Sequence, residues 1–266
     1  MEKSYDIYKS LVSKYNNLSE IEKQAILIYK SRLFNLFNLI TSIPNFKDLT
    51  PTEIMLRLPN IEKLEEDVKK FNDILELKEN MIIKYSVFKL VNMSNFEALI
   101  DDLKRIYFIL EGGKEKIVLD RDLTVYRGIS LDNSEELVNM ARGNIISTSI
   151  KLDDVEKFLF LKKKAFLYVI RLKKGTPLLV APISLIKTYI DVDDCLDKML
   201  KGIEPTKLEL MNRGVKGQQE VIIFKDELNI INERIVEKDI DGEKLTINYI
   251  DTEPVRLINK ERKIAK

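Results

Sequence analysis

The chain contains no histidine, and Cys195 is its single cysteine. The first absence excludes Ser–His–Asp and Cys–His catalysis and every histidine-ligated metal. The second excludes an internal disulfide and a cysteine-built zinc site. An excess of charge of one sign is also missing. Lys and Arg total 44 against 43 Asp and Glu, so no global field draws the chain toward nucleic acid or acidic lipid. No apolar run approaches the roughly 20 residues of a membrane span; the most apolar stretch, Pro177 to Ile186, is far shorter. The opening MEKSYDIYKS has no basic segment leading into an apolar one, so a signal peptide is not expected. Chemistry must therefore run on carboxylates, amides, hydroxyls and cations, and no metal is expected.

What is present suits one large domain, or one domain with a helical annex. The 266 residues are 45% hydrophobic and 33% charged, a somewhat charge-rich globular composition. There are no repeats and no low-complexity linker.

Residues 1 to about 113 read as helices. Ser19-Glu20-Ile21-Glu22 and Ser94-Asn95-Phe96-Glu97 have the form of capping boxes, and Thr50-Pro51-Thr52-Glu53 adds proline at the first helical position. After Ser19, the residues Ile26, Tyr29, Leu33, Phe37 and Ile40 fall on one helical face. Leu99, Leu103, Ile106 and Leu110 do so in the last helix, which Gly112-Gly113 is expected to end. Residues 1 to 18 read as a short leader to this lobe or as a contact for a partner.

The pattern then changes. Leu123 to Tyr126, Ile145 to Thr148, Phe166 to Leu172, Glu220 to Phe224, Ile230 to Glu237 and Leu245 to Ile250 are short, β-branched and bounded by turn residues, which predicts strands. Asp241-Gly242 signals a hairpin between the last two. Asp154 to Leu161 predicts one helical excursion, and residues 184 to 214 a helical insertion. The expected class is α+β, a single domain with a helical lobe (1–113), a β core (114–252) rich in antiparallel pairing, and a basic tail (253–266). Asp191-Val192-Asp193-Asp194 lacks the pattern of a calcium loop and reads as a helix start.

Three short motifs carry chemistry. Thr124-Val125-Tyr126-Arg127-Gly128 places an arginine late in an apolar strand. Ile146-Ser147-Thr148-Ser149 alternates hydroxyls along a second strand. Gly217-Gln218-Gln219-Glu220 opens a third, with Gln218 and Glu220 on one face by strand periodicity. Taken singly, each has a bland reading: an arginine in a surface ion pair, a solvent-side alternation with a helix cap, a polar loop entering a strand. Tyr126 reads as core ahead of cofactor contact.

In this order the set resembles the R–S–E class of mono-ADP-ribosyltransferases, the cholera and clostridial exotoxin-like enzymes, in a Q-x-E variant. The flanking text is similar too: Ala25 to Ser31 with Phe34 to Ile40, Leu123 to Ser130, and Glu220 to Phe224 followed by Leu228 to Ile231. The resemblance spans roughly residues 19 to 250 and is dense only around the three motifs. It implies that family's fold, with a two-sheet core, and NAD as co-substrate. It implies Glu220, Gln218, Arg127 and Ser147 as catalytic residues. Arg127, Gly128, Ser147, Thr148, Ser149 and Glu220 would contact NAD. Phe158 and Lys164 would join them from the segment Lys151 to Lys164, which reads equally well as a packed short helix with a solvated lysine run that includes Lys162 and Lys163. The stretch between Pro177 and Gly214 is longer than in compact toxin members of the class.

The residue types suit that reaction. Nicotinamide leaves NAD from a cationic state and needs no general acid. A carboxylate favours the positive charge that develops on the ribose, and a guanidinium offers a planar fork to a phosphate. In the family, a glutamate two residues before the catalytic one accompanies arginine acceptors. Gln218 is neutral, with donors and an acceptor, so the expected acceptor is an Asn or Gln side chain or a nucleobase. The implied partner is a target macromolecule, a protein ahead of nucleic acid. An antitoxin or immunity protein is a further candidate, and no membrane insertion is expected. A toxin or effector setting, a toxin–antitoxin component and a viral enzyme all fit, as does NAD glycohydrolase activity with water as acceptor. The expected location is cytoplasmic where the protein is made, or a host or target cell reached without a signal peptide.

Overall fold

The computed structural model describes residues 2–31, 33–76, 89–131, 143–156, 158–159, 164–181, 220–240 and 243–255. Helices α1 (Glu2–Tyr15), α2 (Glu20–Lys30), α3 (Phe34–Ser42), α4 (Pro51–Met55), α5 (Ile61–Glu76) and α6 (Phe96–Lys114) come first. Strands β1 (Leu123–Leu131) and β2 (Ile145–Ser149) follow, then a one-turn helix α7 (Asp153–Glu156). Strands β3 (Lys164–Leu172), β4 (Leu179–Ala181), β5 (Glu220–Phe224), β6 (Leu228–Ile240) and β7 (Glu243–Pro254) complete the order. The class is α+β. The expected turn at 241 and 242 and the expected insertion 184–214 with Asp191 to Asp194 lie outside the described residues, as does the expected tail from 256 on; its first residues, Glu253 and Pro254, instead continue β7, where they pair with β6.

Two compact units form. One holds Met1–Asn17, Lys114–Ile183 and Gly217–Lys266; the other holds Leu18–Gly113 and Ser184–Lys216. In the second, helix starts follow local chemistry. Ser19 and Glu22 make a reciprocal capping box on α2, and Thr50 and Glu53 make one on α4 with Pro51 in its first turn. The expected single face from Ile26 to Ile40 is split between α2 and α3 by a break at Ser31. All five of its apolar residues are nonetheless buried, and Tyr29 meets the rings of Phe34 and Phe37 edge-on.

The start and end of α6 depart from expectation. Its cap is Asn95, whose side chain accepts from the Ala98 amide at 2.9 Å, while the Ser94 hydroxyl turns back to Asn92. Asparagine caps as well as serine, so one residue of slippage costs nothing. Gly112 and Gly113 sit inside the last turn, and neither takes a positive φ, so neither ends the helix.

The first unit is built on one seven-stranded sheet, order β4-β5-β2-β1-β3-β7-β6. The pairing is antiparallel except between β3 and β7. The two sheets expected from the resemblance are, among the described residues, one. The reason is β1, which pairs with both flanking strands. Its link to β3 runs over nine residue pairs, from Leu123↔Leu172 to Leu131↔Lys164, whereas its link to β2 is the single pair Tyr126↔Ser149. The halves are therefore joined, but at one row. β6 and β7 pair antiparallel from Ile240↔Glu243, as a hairpin does.

Helix α1 belongs with these strands. Ile7, Leu11 and Tyr15 recur at four-residue spacing and are buried beside Tyr8, and the helix packs on β4. Lys14 donates to the carbonyl of Val118 at 2.8 Å. Below the sheet, Val155, Leu159, Ala165, Leu167, Leu245 and Ile247 form one apolar cluster. Lys114, 2% exposed, is held by Glu227 at 2.8 Å and lies over the ring of Phe224. Among the described residues no helix is long and apolar enough to cross a membrane.

Candidate active site

The registers align one residue from each strand into a row across the sheet: Ala181, Glu220, Ser149, Tyr126, Val169, Tyr249 and Arg234. Strand alternation puts Ser147 on the same face of β2 as Ser149, diagonal to Glu220. The site is built around that diagonal. The Ser147 hydroxyl donates to Oε1 of Glu220, and the carboxylate lies in a residue only 3% exposed.

Arg127 reaches the same serine from β1. Its Nη1 donates to the Ser147 carbonyl at 2.7 Å. Past Tyr126↔Ser149 no further β1–β2 pair forms, so that carbonyl takes a side-chain donor in place of a ladder amide. The guanidinium also acts at a distance. Burial chiefly, and the Arg127 charge second, hold the Lys225 ammonium below its ordinary value. The Tyr168 hydroxyl, opposite Arg127 on β3, is pushed up by burial, and Arg127 partly offsets that.

The other two hydroxyls of the second motif have separate tasks. Thr148 is buried on the opposite face, where its Oγ1 donates to the Val221 carbonyl at 2.7 Å and ties β2 to β5. Ser149 donates to Asp154 at 2.7 Å and accepts from the Lys151 amide at 3.1 Å, which fixes the start of α7. Gly128 is required by that helix: a Cβ there would stand 2.5 Å from the Val155 carbonyl oxygen.

The structure thus links Arg127 to Ser147 and Ser147 to Glu220, with Ser149 paired beside Glu220; Thr148 faces the other way, and Gly128 lies against α7. Lys164 is elsewhere. It is exposed and opens β3 opposite Leu131, five residues along from the Val169 row, on the order of 16 Å at strand spacing. Phe158 is 37% exposed, just past α7. Gln218, Phe160, Lys162 and Lys163 lie outside the described residues. Among the described residues no cluster of metal-ligating side chains exists.

Two side chains at this site were missed in the sequence. Asp154 stands on α7 against Ser149. Tyr8, from α1, is 6% exposed; its hydroxyl lies 3.4 Å from the Ala181 carbonyl, and the Glu220 backbone hydrogen-bonds to it. Burial first, and the charge of Glu220 second, push the Tyr8 hydroxyl far above the ordinary tyrosine range. The stripe Ile7, Leu11, Tyr15 was the available signal for α1, although nothing local pointed to Glu220.

The arrangement offers a carboxylate fixed by a hydroxyl and a guanidinium on the adjoining strand. A fixed carboxylate can stabilise cationic charge developing beside it, and a guanidinium can hold an anionic group.

No family profile and no curated protein matches the chain. Solved structures of bacterial ADP-ribosyltransferase toxins are similar to it at low identity. Plx2a, an ADP-ribosyltransferase toxin from Paenibacillus larvae, is 13% identical, with 94% of this chain and 93% of that one covered and a TM-score of 0.47. An ADP-ribosyltransferase from Clostridium botulinum is 12% identical, over 94% and 96%, with a TM-score of 0.41. The ADP-ribosylating toxin BECa of a C. perfringens binary enterotoxin, solved with NADH, is 12% identical at a TM-score of 0.43. The match covers 94% of this chain and 45% of that one, so the chain spans under half its length. Similarity at this level leaves the chemistry to be argued from the residues.

Proposed function

We propose that the chain is an NAD-dependent mono-ADP-ribosyltransferase of toxin or effector type. The observation that carries this reading is Ser147, which accepts from Arg127 through its carbonyl and donates to Glu220 through its hydroxyl. One backbone position thereby couples a phosphate-binding cation to a buried carboxylate.

In the reaction, the bond between nicotinamide nitrogen and ribose C1 breaks, and nicotinamide leaves neutral with the electron pair. C1 becomes cationic, and Glu220 stabilises that charge and accepts from a ribose hydroxyl. Arg127 holds a phosphate of NAD. The acceptor nucleophile then bonds to C1 and loses a proton. No step calls for histidine, which the chain lacks. Gln218, a neutral amide two residues before Glu220, favours a carboxamide side chain or a nucleobase over arginine as acceptor. We take a protein target as the first candidate, because the charge balance provides no long track for nucleic acid. Action in the producing cell's cytoplasm, or in a cell reached without a signal peptide, is part of the same proposal.

The test is incubation with labelled NAD and separate protein, RNA and DNA fractions, with Glu220→Gln as control. Label on one fraction, lost in the variant, supports transfer and identifies the acceptor class. Free ADP-ribose with no labelled fraction would make water the acceptor and the chain a glycohydrolase. An arginine-linked product would contradict the role given to Gln218.

A further inference from the structure

We infer that Tyr8 is a positioning residue for Glu220, so that the N-terminal helix forms part of the reaction centre; this rests on the proposed role of Glu220. A short antiparallel ladder joins β4 and β5. Among the described residues it contains the pairs Leu179↔Ile222, Val180↔Val221 and Ala181↔Glu220. Among the described residues, Ala181↔Glu220 is the last of these pairs, and it places the β4 backbone directly beside Glu220.

The Tyr8 hydroxyl is placed at that pair. It faces the carbonyl of Ala181 at 3.4 Å and is hydrogen-bonded by the Glu220 backbone, so it touches both members of the final pair. A neutral phenol can donate to the carbonyl and accept from the amide at once. Two anchors hold the ring there. The face of Ile7, Leu11 and Tyr15 is buried, and Lys14 binds the Val118 carbonyl one turn and a half further along. The site side contributes Asp154, whose charge also acts on the hydroxyl.

On the carboxylate side, the Ser147 hydroxyl fixes the head of Glu220. Tyr8 fixes its backbone. A carboxylate clamped at both ends cannot swing from the reacting carbon, and a displacement on the order of 1 Å is enough to cost catalysis about a hundredfold. Tyr8 makes no contact with substrate in this scheme; its effect passes through Glu220 and falls on turnover ahead of NAD binding.

The conservative variant Tyr8→Phe keeps the ring and removes only the hydroxyl. Two readouts are required. The first is site-resolved amide hydrogen exchange on the full chain, which needs no activity. The Glu220 amide is expected to exchange about tenfold faster, the equivalent of one lost hydrogen bond, while the Ile222 amide in the same strand keeps its rate. The second is nicotinamide release, where kcat falls about tenfold and the KM for NAD stays within about twofold. An unchanged Glu220 amide overturns the inference, as does equal acceleration at Ile222, which would mean a general loss of stability. A rise in KM with kcat intact also overturns it. If the wild type releases no nicotinamide under any condition, the functional reading falls, and the exchange measurement alone decides what Tyr8 does.

Discussion

Arg127 and Glu220 are joined through a single residue: Ser147 accepts from the guanidinium at 2.7 Å with its carbonyl and donates to the carboxylate with its hydroxyl. The two functions of Ser147 are separable by mutation. Ser147→Ala keeps the carbonyl and removes the hydroxyl. A hydrogen bond to a charged group is worth about 1.5–3 kcal/mol, so kcat is expected to fall about ten- to a hundredfold with NAD affinity nearly intact. Arg127→Lys keeps a charge and loses the planar fork, so the KM for NAD should rise about tenfold or more. Steady-state kinetics on both variants checks the split; the reverse assignment of kcat and KM would contradict it.

Gly128→Ala is expected to destabilise the first unit. The new Cβ would meet the Val155 carbonyl oxygen at 2.5 Å and a Leu159 methyl at 3.1 Å, and the first of these is backbone that cannot rotate away. Overpacking of this kind costs about 1–3 kcal/mol. Urea unfolding followed by circular dichroism should show the loss, and a midpoint equal to wild type would contradict the packing described for α7.

The tyrosine shifts set an alkaline limit. Burial and the nearby Glu220 charge raise the Tyr8 hydroxyl above its unfolded value of about 10. The folded state therefore keeps that proton longer than the unfolded state. The contribution is fully present below about pH 10 and is lost as pH rises above it. Tyr168, raised by burial, acts in the same direction. Tyr8→Phe should lose less stability than wild type between about pH 10 and 12. Denaturation midpoints measured across that range check the sign; identical slopes would contradict it.

Much of this was legible in the sequence because its signals are local. Ser19 with Glu22, and Thr50 with Glu53, cap helices through contacts three residues apart. Six of the strands were marked by β-branched runs, and Glu220 to Phe224 kept the limits expected for it. The three motifs announced Arg127, Ser147 and Glu220. What stayed hidden was long-range. Three residues, Leu179 to Ala181, are too few to show a period, so β4 merged into an apolar stretch. Tyr8 meets Glu220 across more than two hundred residues of sequence, and no spacing rule reaches that far. The single sheet in place of two depends on one pair, Tyr126↔Ser149, which no pattern in either strand specifies. The position of Lys164 at the far end of β3 follows from register, which alternation alone leaves free.

The role of Glu220 in breaking the nicotinamide–ribose bond is tested by nicotinamide release from NAD by purified wild type and Glu220→Gln, with NAD binding measured on both. The wild type is expected to release nicotinamide, the variant to lose about a hundredfold or more of that rate, and the two to bind NAD with nearly equal affinity. A variant that releases nicotinamide at the wild-type rate, or a well-folded wild type that does not bind NAD, would contradict that role.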